Sequence, residues 1–272
     1  MLNNILLFLY LFSASIFASG DDSKVVDSQF VVNKGEKLEY KVSFGFLTVG
    51  EATMKVREKT YRVQDAGCYK VDIFGKTSGA VGWVTRVNDH WGAYIDKESY
   101  QPYISYRNIE EGRYRKNELV RFYHESGKVE AKEVNQKTGE YKEPTIYDAR
   151  GKQLFDMIGG YMHLRSIDFD SYEIGDTIKV DAFFEDTIYD FRIIYQGKDV
   201  VKTKVGSVRA FKLVPIMPDN KLFDGENAIA TWFSDDQNKI PLKVKADMFV
   251  GSVTVDLVDH QNLTSPLALV ED

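Results

Sequence analysis

Most of the chemistry that a catalytic or metal site needs is scarce in this chain. Cys68 is its only cysteine, so no disulfide can close within it. The four histidines, His90, His124, His163 and His260, are widely separated, and none falls in an HExxH motif or another paired zinc spacing. Each reads as a surface or strand residue. There is no G-x-S-x-G elbow and no P-loop, and nothing beside Cys68 resembles a nucleophile loop. Cys68 lies in the alternating run CYKVDIF, where a buried, inert thiol is expected. Cationic excess is absent too. The formal net charge is −6, which leaves no electrostatic footprint for nucleic acid. No cofactor and no metal are implied.

Charge is also missing from the start of the chain, where no Lys, Arg, Asp or Glu precedes Asp21. The apolar stretch Ile5 to Phe17 is short of the ~20 residues that span a bilayer, but it suits the core of a signal peptide. Ala18-Ser19-Gly20 then supplies small residues for cleavage after Gly20, with Ala18 as the next choice. Residues 1–20 are therefore expected to be a signal peptide and 21–272 a single exported β domain, periplasmic or secreted. The first mature residue would be Asp21 rather than a cysteine, so a lipoprotein is not expected. No later apolar segment approaches membrane-spanning length.

What is plentiful is apolar and aromatic residues, 43% and 13% of the chain, enough to fill a core. They alternate with polar residues at the period of half-buried strands, first in Lys37–Phe44 and then in Phe46–Val56 after Gly45. Similar runs follow at Tyr69–Phe74, Thr85–Ile95, Tyr103–Ile109, Glu118–His124 and Lys128–Val134. Further on lie Thr177–Phe184, Thr187–Tyr195, Val200–Val205, Val208–Ile216, Ile229–Phe233, Ile240–Phe249 and Gly251–Val258. Turn signals separate them, among them Gly112, Ser126-Gly127, Gln196-Gly197 and the Asp235-Asp236 segment. One helical pattern interrupts, with Leu154, Phe155, Ile158, Tyr161, Met162 and Arg165 on one face of Gly151–Arg165. The expectation is an all-β, large antiparallel, strongly curved meander, a half-barrel or open barrel, with one packing helix. Arg165 ends the helix's apolar face and should be partly buried and hydrogen-bonded, at a cost of roughly 1–3 kcal/mol if truncated.

Gly35-Glu36-Lys37-Leu38-Glu39-Tyr40 with Val49-Gly50-Glu51-Ala52, the helix end Tyr161–Arg165, Gly175-Asp176, Thr231–Asp236 and Ile240–Val244 come in a distinctive order, closing on Val250–Val253. In these pieces, from residue 30 to residue 260, the chain resembles the domain of unknown function 3108, a family of exported bacterial envelope proteins. The resemblance implies a large bent antiparallel sheet, similar to that of certain capsule-secretion lipoproteins, and it implies no activity. The absence of an N-terminal lipidated cysteine marks a difference from those lipoproteins.

Two groups of residues are candidate ligand contacts. Tyr103 and Arg107 belong to a Tyr- and Arg-rich stretch from Tyr100 to Arg115, suited to gripping an anionic glycan by stacking and bidentate hydrogen bonds. Trp232 with Asp235 and Asp236 offers a ring and paired carboxyls, although Asp235-Asp236 also reads as a turn. The leading reading is a non-catalytic envelope protein handling a polysaccharide, a lipid or a protein partner. The alternatives are a carboxylate-dependent hydrolase of envelope polymers and a purely structural scaffold. Two carboxyls across a cleft would favour the hydrolase. An apolar interior cavity would favour lipid, and an open aromatic groove would favour glycan.

Overall fold

The computed structural model describes residues 32–79, 86–216 and 227–271, so the expected signal peptide lies outside the described residues. The strands are β1 (Lys37–Phe44), β2 (Leu47–Val56), β3 (Tyr61–Val63), β4 (Ala66–Thr77), β5 (Asn88–Asp96), β6 (Pro102–Glu111), β7 (Tyr114–Tyr123) and β8 (Lys128–Glu133). They continue as β9 (Thr145–Asp148), β10 (Thr177–Phe184), β11 (Thr187–Thr203), β12 (Gly206–Pro215), β13 (Ile229–Ser234), β14 (Pro241–Met248) and β15 (Gly251–Gln261). A helix, α1 (Met157–Ser166), falls between β9 and β10.

All fifteen strands join one antiparallel sheet, in the order β10-β11-β12-β13-β14-β15-β1-β2-β4-β5-β6-β7-β8-β9 with β3 added on β4. β15 and β1, from opposite ends of the chain, pair in its middle. β9 and β10, consecutive in sequence, form its two edges. The sheet curls until those edges approach. Eight strands separate β10 from β5 in the order, yet the Phe184 ring stacks 5.9 Å from Trp91 of β5. Phe183 likewise lies 6.2 Å from Phe122 of β7 and 5.0 Å from Tyr147 of β9. The right-handed twist common to all strands provides this curvature.

No ladder closes the seam between β9 and β10 among the described residues. Instead a small apolar cluster of Val120, Phe122, Val129, Leu154 and Phe183 fills it. The chain ahead of α1 covers part of the open edge: Phe155 donates to the Asp181 carbonyl at 2.9 Å and accepts from the Phe183 amide at 2.8 Å. A bare edge would template pairing with another chain, and this segment blunts it.

That role of Phe155 changes the expected helix. Residues 151–155 are not helical, and Leu154 and Phe155 are buried from an extended segment. Asp156 starts α1 by accepting the Gly159 amide at 2.8 Å, an N-cap that the sequence periodicity does not register. β11 also departs from expectation. Gln196-Gly197 reads as a turn but is a bulge inside one long strand, accommodated by Gly197 at φ +87°.

α1 packs on the inner face against β5 and β10, burying Ile158, Tyr161, Met162, Leu164 and Arg165. Arg165 is fully buried. Its Nη1 and Nη2 each donate to a Glu36 carboxylate oxygen at 2.7 Å, and its Nε donates to the Asn238 carbonyl at 3.0 Å. The helix is thereby tied to the start of β1 and to the β13–β14 connection. Burial alone would lower the Arg165 pKa, but the Glu36 carboxylate raises it above its ordinary value.

Candidate functional site

The sequence-derived contacts do not form one site, because six strands lie between β13 and β6 in the sheet order. Arg107 is not a surface contact either. It points inward, buried, with Nε 2.7 Å from Glu118 and Nη1 2.5 Å from Glu185, and its guanidinium lies over the Trp91 and Phe184 rings. Lys116 joins the same network through Glu118, Glu133 and Glu185. The alternation that groups Ser105 with Arg107 is correct, but theirs is the core-facing side of β6, and a register shift against β5 falls at Tyr103. Tyr103 instead meets the ring of His124 edge-on at 5.0 Å.

Trp232 donates its indole N–H to Asp199 at 2.8 Å and lies beneath the Lys212 ammonium. Asp235 pairs with Lys198 at 3.2 Å. Asp236 is an acceptor hub: one oxygen takes the Ser234 hydroxyl and the Asn238 amide N–H at 2.9 Å and the Asn238 side-chain N–H at 3.0 Å. Its other oxygen takes the Ala268 amide at 3.0 Å. Both carboxyls thus sit in the β13–β14 connection, with Asp236 binding the C-terminal segment to it.

A more convergent arrangement lies on the outer face of β4, β5 and β6. Along β4, Tyr69, Val71 and Ile73 pack into the core, which turns Lys70, Asp72 and Phe74 outward. Along β5, Trp91 and Ala93 point inward, so His90, Gly92 and Tyr94 share the outer face with Tyr106 of β6. Asp72, Gly92 and Tyr106 lie in one lateral row, directly opposite one another. Gly92 has no side chain, and a Cβ there would sit 2.2 Å from the Tyr106 ring. The ring therefore lies across β5, and its hydroxyl donates to Asp72 at 2.5 Å.

His90 Nε2 meets the same Asp72 oxygen at 2.8 Å, and Arg57 Nε reaches the other at 2.5 Å. Burial pushes the Asp72 pKa up, but the hydrogen bonds from Tyr106, His90 and Arg57 outweigh it and hold the carboxyl below its ordinary value. An ionised Asp72 can only accept, so Nε2 of His90 carries the proton in this hydrogen bond. Rings surround this core. His90 stacks on Phe74 at 4.3 Å, Tyr61 meets Tyr94 edge-on at 5.2 Å, and the Lys70 ammonium lies 5.2 Å from Tyr94 and 5.5 Å from Tyr106. The result is a half-exposed aromatic platform carrying cations and fixed hydrogen-bonding groups.

Of these residues the sequence singled out only Tyr106, within the Tyr- and Arg-rich stretch; Arg57, Lys70, Asp72 and His90 occupy ordinary polar positions in or beside alternating strands. One signal was present: Gly92 inside a strand pattern marks close approach of another group. The other histidines are dispersed. His163 lies on α1 within the expected helix but is not the surface residue expected: it stacks on Phe155 and is pushed down to about pKa 4 by burial. Cys68 is a buried free thiol, pushed up to about pKa 11 by burial.

A second concavity, a cleft of about 250 Å³, is lined by Tyr123, His124, Lys128 and Lys152 among others. Two of its polar groups are engaged elsewhere: His124 Nε2 lies 2.8 Å from the Pro102 carbonyl, and Lys152 pairs with Asp181. They do not converge as the Asp72 cluster does.

The fold is similar to that of the β-barrel-like protein of domain of unknown function DUF1849 from Brucella abortus, with a TM-score of 0.56 and 12% identity over 85% of this chain and 99% of that one. A hypothetical protein, CT021, from Chlamydia trachomatis is similar at a TM-score of 0.35 and 8% identity, over 88% of this chain and 93% of that one. No curated protein matches the sequence. The family model of the protein of unknown function DUF3108 matches residues 39–258, and the chain belongs to that family.

Proposed function

We propose that this is an exported, non-catalytic protein of the bacterial envelope that binds a glycan on the outer face of β3 to β6. The observation that carries this reading is the buried Asp72 carboxylate, which fixes Tyr106, His90 and Arg57 beneath a half-exposed group of aromatic rings. Sugars present apolar C–H faces, which pack on rings, and hydroxyls, which need donors and acceptors held in place. The Lys70 and Arg57 cations suit acidic sugars best. The inner face is filled by α1 and core side chains, and the cavity beside Arg107, of about 20 Å³, has room for about one water. That filling favours the outer-face glycan over a lipid carried inside. Export rests on the charge-free apolar start of the chain. No helix among the described residues is long and apolar enough to cross a membrane.

The test is titration with acidic and neutral oligosaccharides cut from bacterial envelope polysaccharides, followed by calorimetry. Saturable binding of the acidic set, lost in Asp72→Asn and weakened in Lys70→Ala, is expected. Absence of saturable binding, or equal binding by both variants, overturns the reading. Intact mass of the protein recovered from a Gram-negative host tests export, with a mature chain starting at Asp21 expected.

A further inference from the structure

Two neighbouring hairpin tips at one end of the sheet expose large apolar side chains. The β1–β2 turn presents Phe46 and Leu47 at 95% and 53% exposure, and the β14–β15 turn presents Phe249 and Val250 at 63% and 67%. β15 pairs with β1, so the tips lie side by side, and the Gly45 amide donates to the Ser252 carbonyl at 2.9 Å. Gly251, at φ +84°, leaves room for the Phe44 ring, which a Cβ there would approach to 3.0 Å. Val42, Val49 and Val253 form a small buried cluster behind the tips, with Phe44 and Met248 packed on it. The protruding residues are held on a firm base.

The two tips themselves carry no charge. Residues 42–50 and 248–255 contain no Asp, Glu, Lys or Arg in a chain that is 28% charged. Behind them the charges are paired: Lys76 with Glu51 at 3.2 Å, Lys245 with Asp247 at 2.9 Å, and Lys243 with Asp256 at 2.9 Å.

We propose that these two tips dock on a lipid bilayer, inserting Phe46, Leu47, Phe249 and Val250 among the acyl chains. The patch offers on the order of a few hundred Å², well below the ~800 Å² per partner of a stable protein interface. Two convex tips also cannot fill one another as a self-complementary surface must. A bilayer accepts protruding apolar side chains without a complementary shape. Because the nearby charges are paired, the contact is apolar in origin, and anionic lipid adds little to it.

The test is co-sedimentation with vesicles of phosphatidylcholine alone and of phosphatidylcholine with phosphatidylglycerol, at low and high salt. The wild type is expected to sediment with both at similar levels and with little salt dependence. Phe46→Ser combined with Phe249→Ser should partition more than tenfold more weakly, while Phe46→Leu combined with Phe249→Leu should stay near wild type. All variants share the same N-terminus, so the difference isolates the tips. Circular dichroism and the urea midpoint of each variant establish folding independently. A wild type left in the supernatant, or a folded double Ser variant that sediments equally, overturns the proposal. Binding only to the anionic vesicles at low salt overturns it in favour of a charged surface. A concentration-dependent dimer abolished by the Ser pair, without vesicle binding, overturns it in favour of self-association. None of these outcomes depends on the glycan site, which lies on β3 to β6.

Discussion

The Tyr106 hydroxyl reaches the Asp72 carboxylate across a whole strand, and it can do so because the residue between them in the row is Gly92. Gly92→Ala should therefore displace the Tyr106 ring and break its hydrogen bond to a buried carboxylate. The expected loss is about 1–3 kcal/mol in urea unfolding, through crowding and an under-satisfied acceptor. An unchanged midpoint would show that the ring is not held there.

The Arg165–Glu36 pair raises the magnitude expected from sequence. Full burial and a bidentate geometry mean that Arg165→Ala strands a carboxylate in the core, at a cost of about 3–5 kcal/mol. Replacing both partners with methionine should destabilise less than the single change. A single variant within ~1 kcal/mol of wild type would contradict this.

Asp235 and Asp236 separate in the same assay. Asp235→Asn should be nearly silent, because its Lys198 partner is half-exposed. Asp236→Asn puts an amide NH₂ against either the Ala268 amide or the donors from Ser234 and Asn238. It should cost about 1–3 kcal/mol. The turn reading alone predicts a nearly normal fold for the double Asn variant, and the four-donor hub around Asp236 corrects it.

At the β5–β6 end, Asp89 and Glu111 hydrogen-bond to each other, and burial pushes them up to about pKa 6 and about 7. The folded state thus holds a proton that the unfolded chain releases near pH 4. Their contribution is fully present below that value and is lost as pH rises toward about 7. Glu111→Gln keeps a donor and removes a titration. Urea midpoints at about pH 5 and about pH 8 should show the variant gaining on wild type at the higher pH. A gain at the lower pH would reverse the assignment.

The strands were legible because alternation is local: Lys37–Phe44 and Thr177–Phe184 coincide with β1 and β10. Arg165 was legible as a charge closing an apolar stripe. The β11 bulge and the α1 start were not, since Gly197 resembles a turn glycine and Asp156 acts through geometry that periodicity does not carry. The outer-face site was hidden because its parts come from the β2–β3 connection, β3, β4, β5 and β6 and converge only in the folded sheet. Arg107 misled because alternation reports that residues share a face without saying which face is buried.

The most direct measurement of the glycan-binding account is an amide NMR titration of the protein with an acidic envelope oligosaccharide. Shifts concentrated on Lys70–Phe74, His90–Tyr94 and Tyr106 are expected, and they should vanish in Asp72→Asn. Shifts confined to the cleft around His124 and Lys128, or none at saturating sugar, would contradict it.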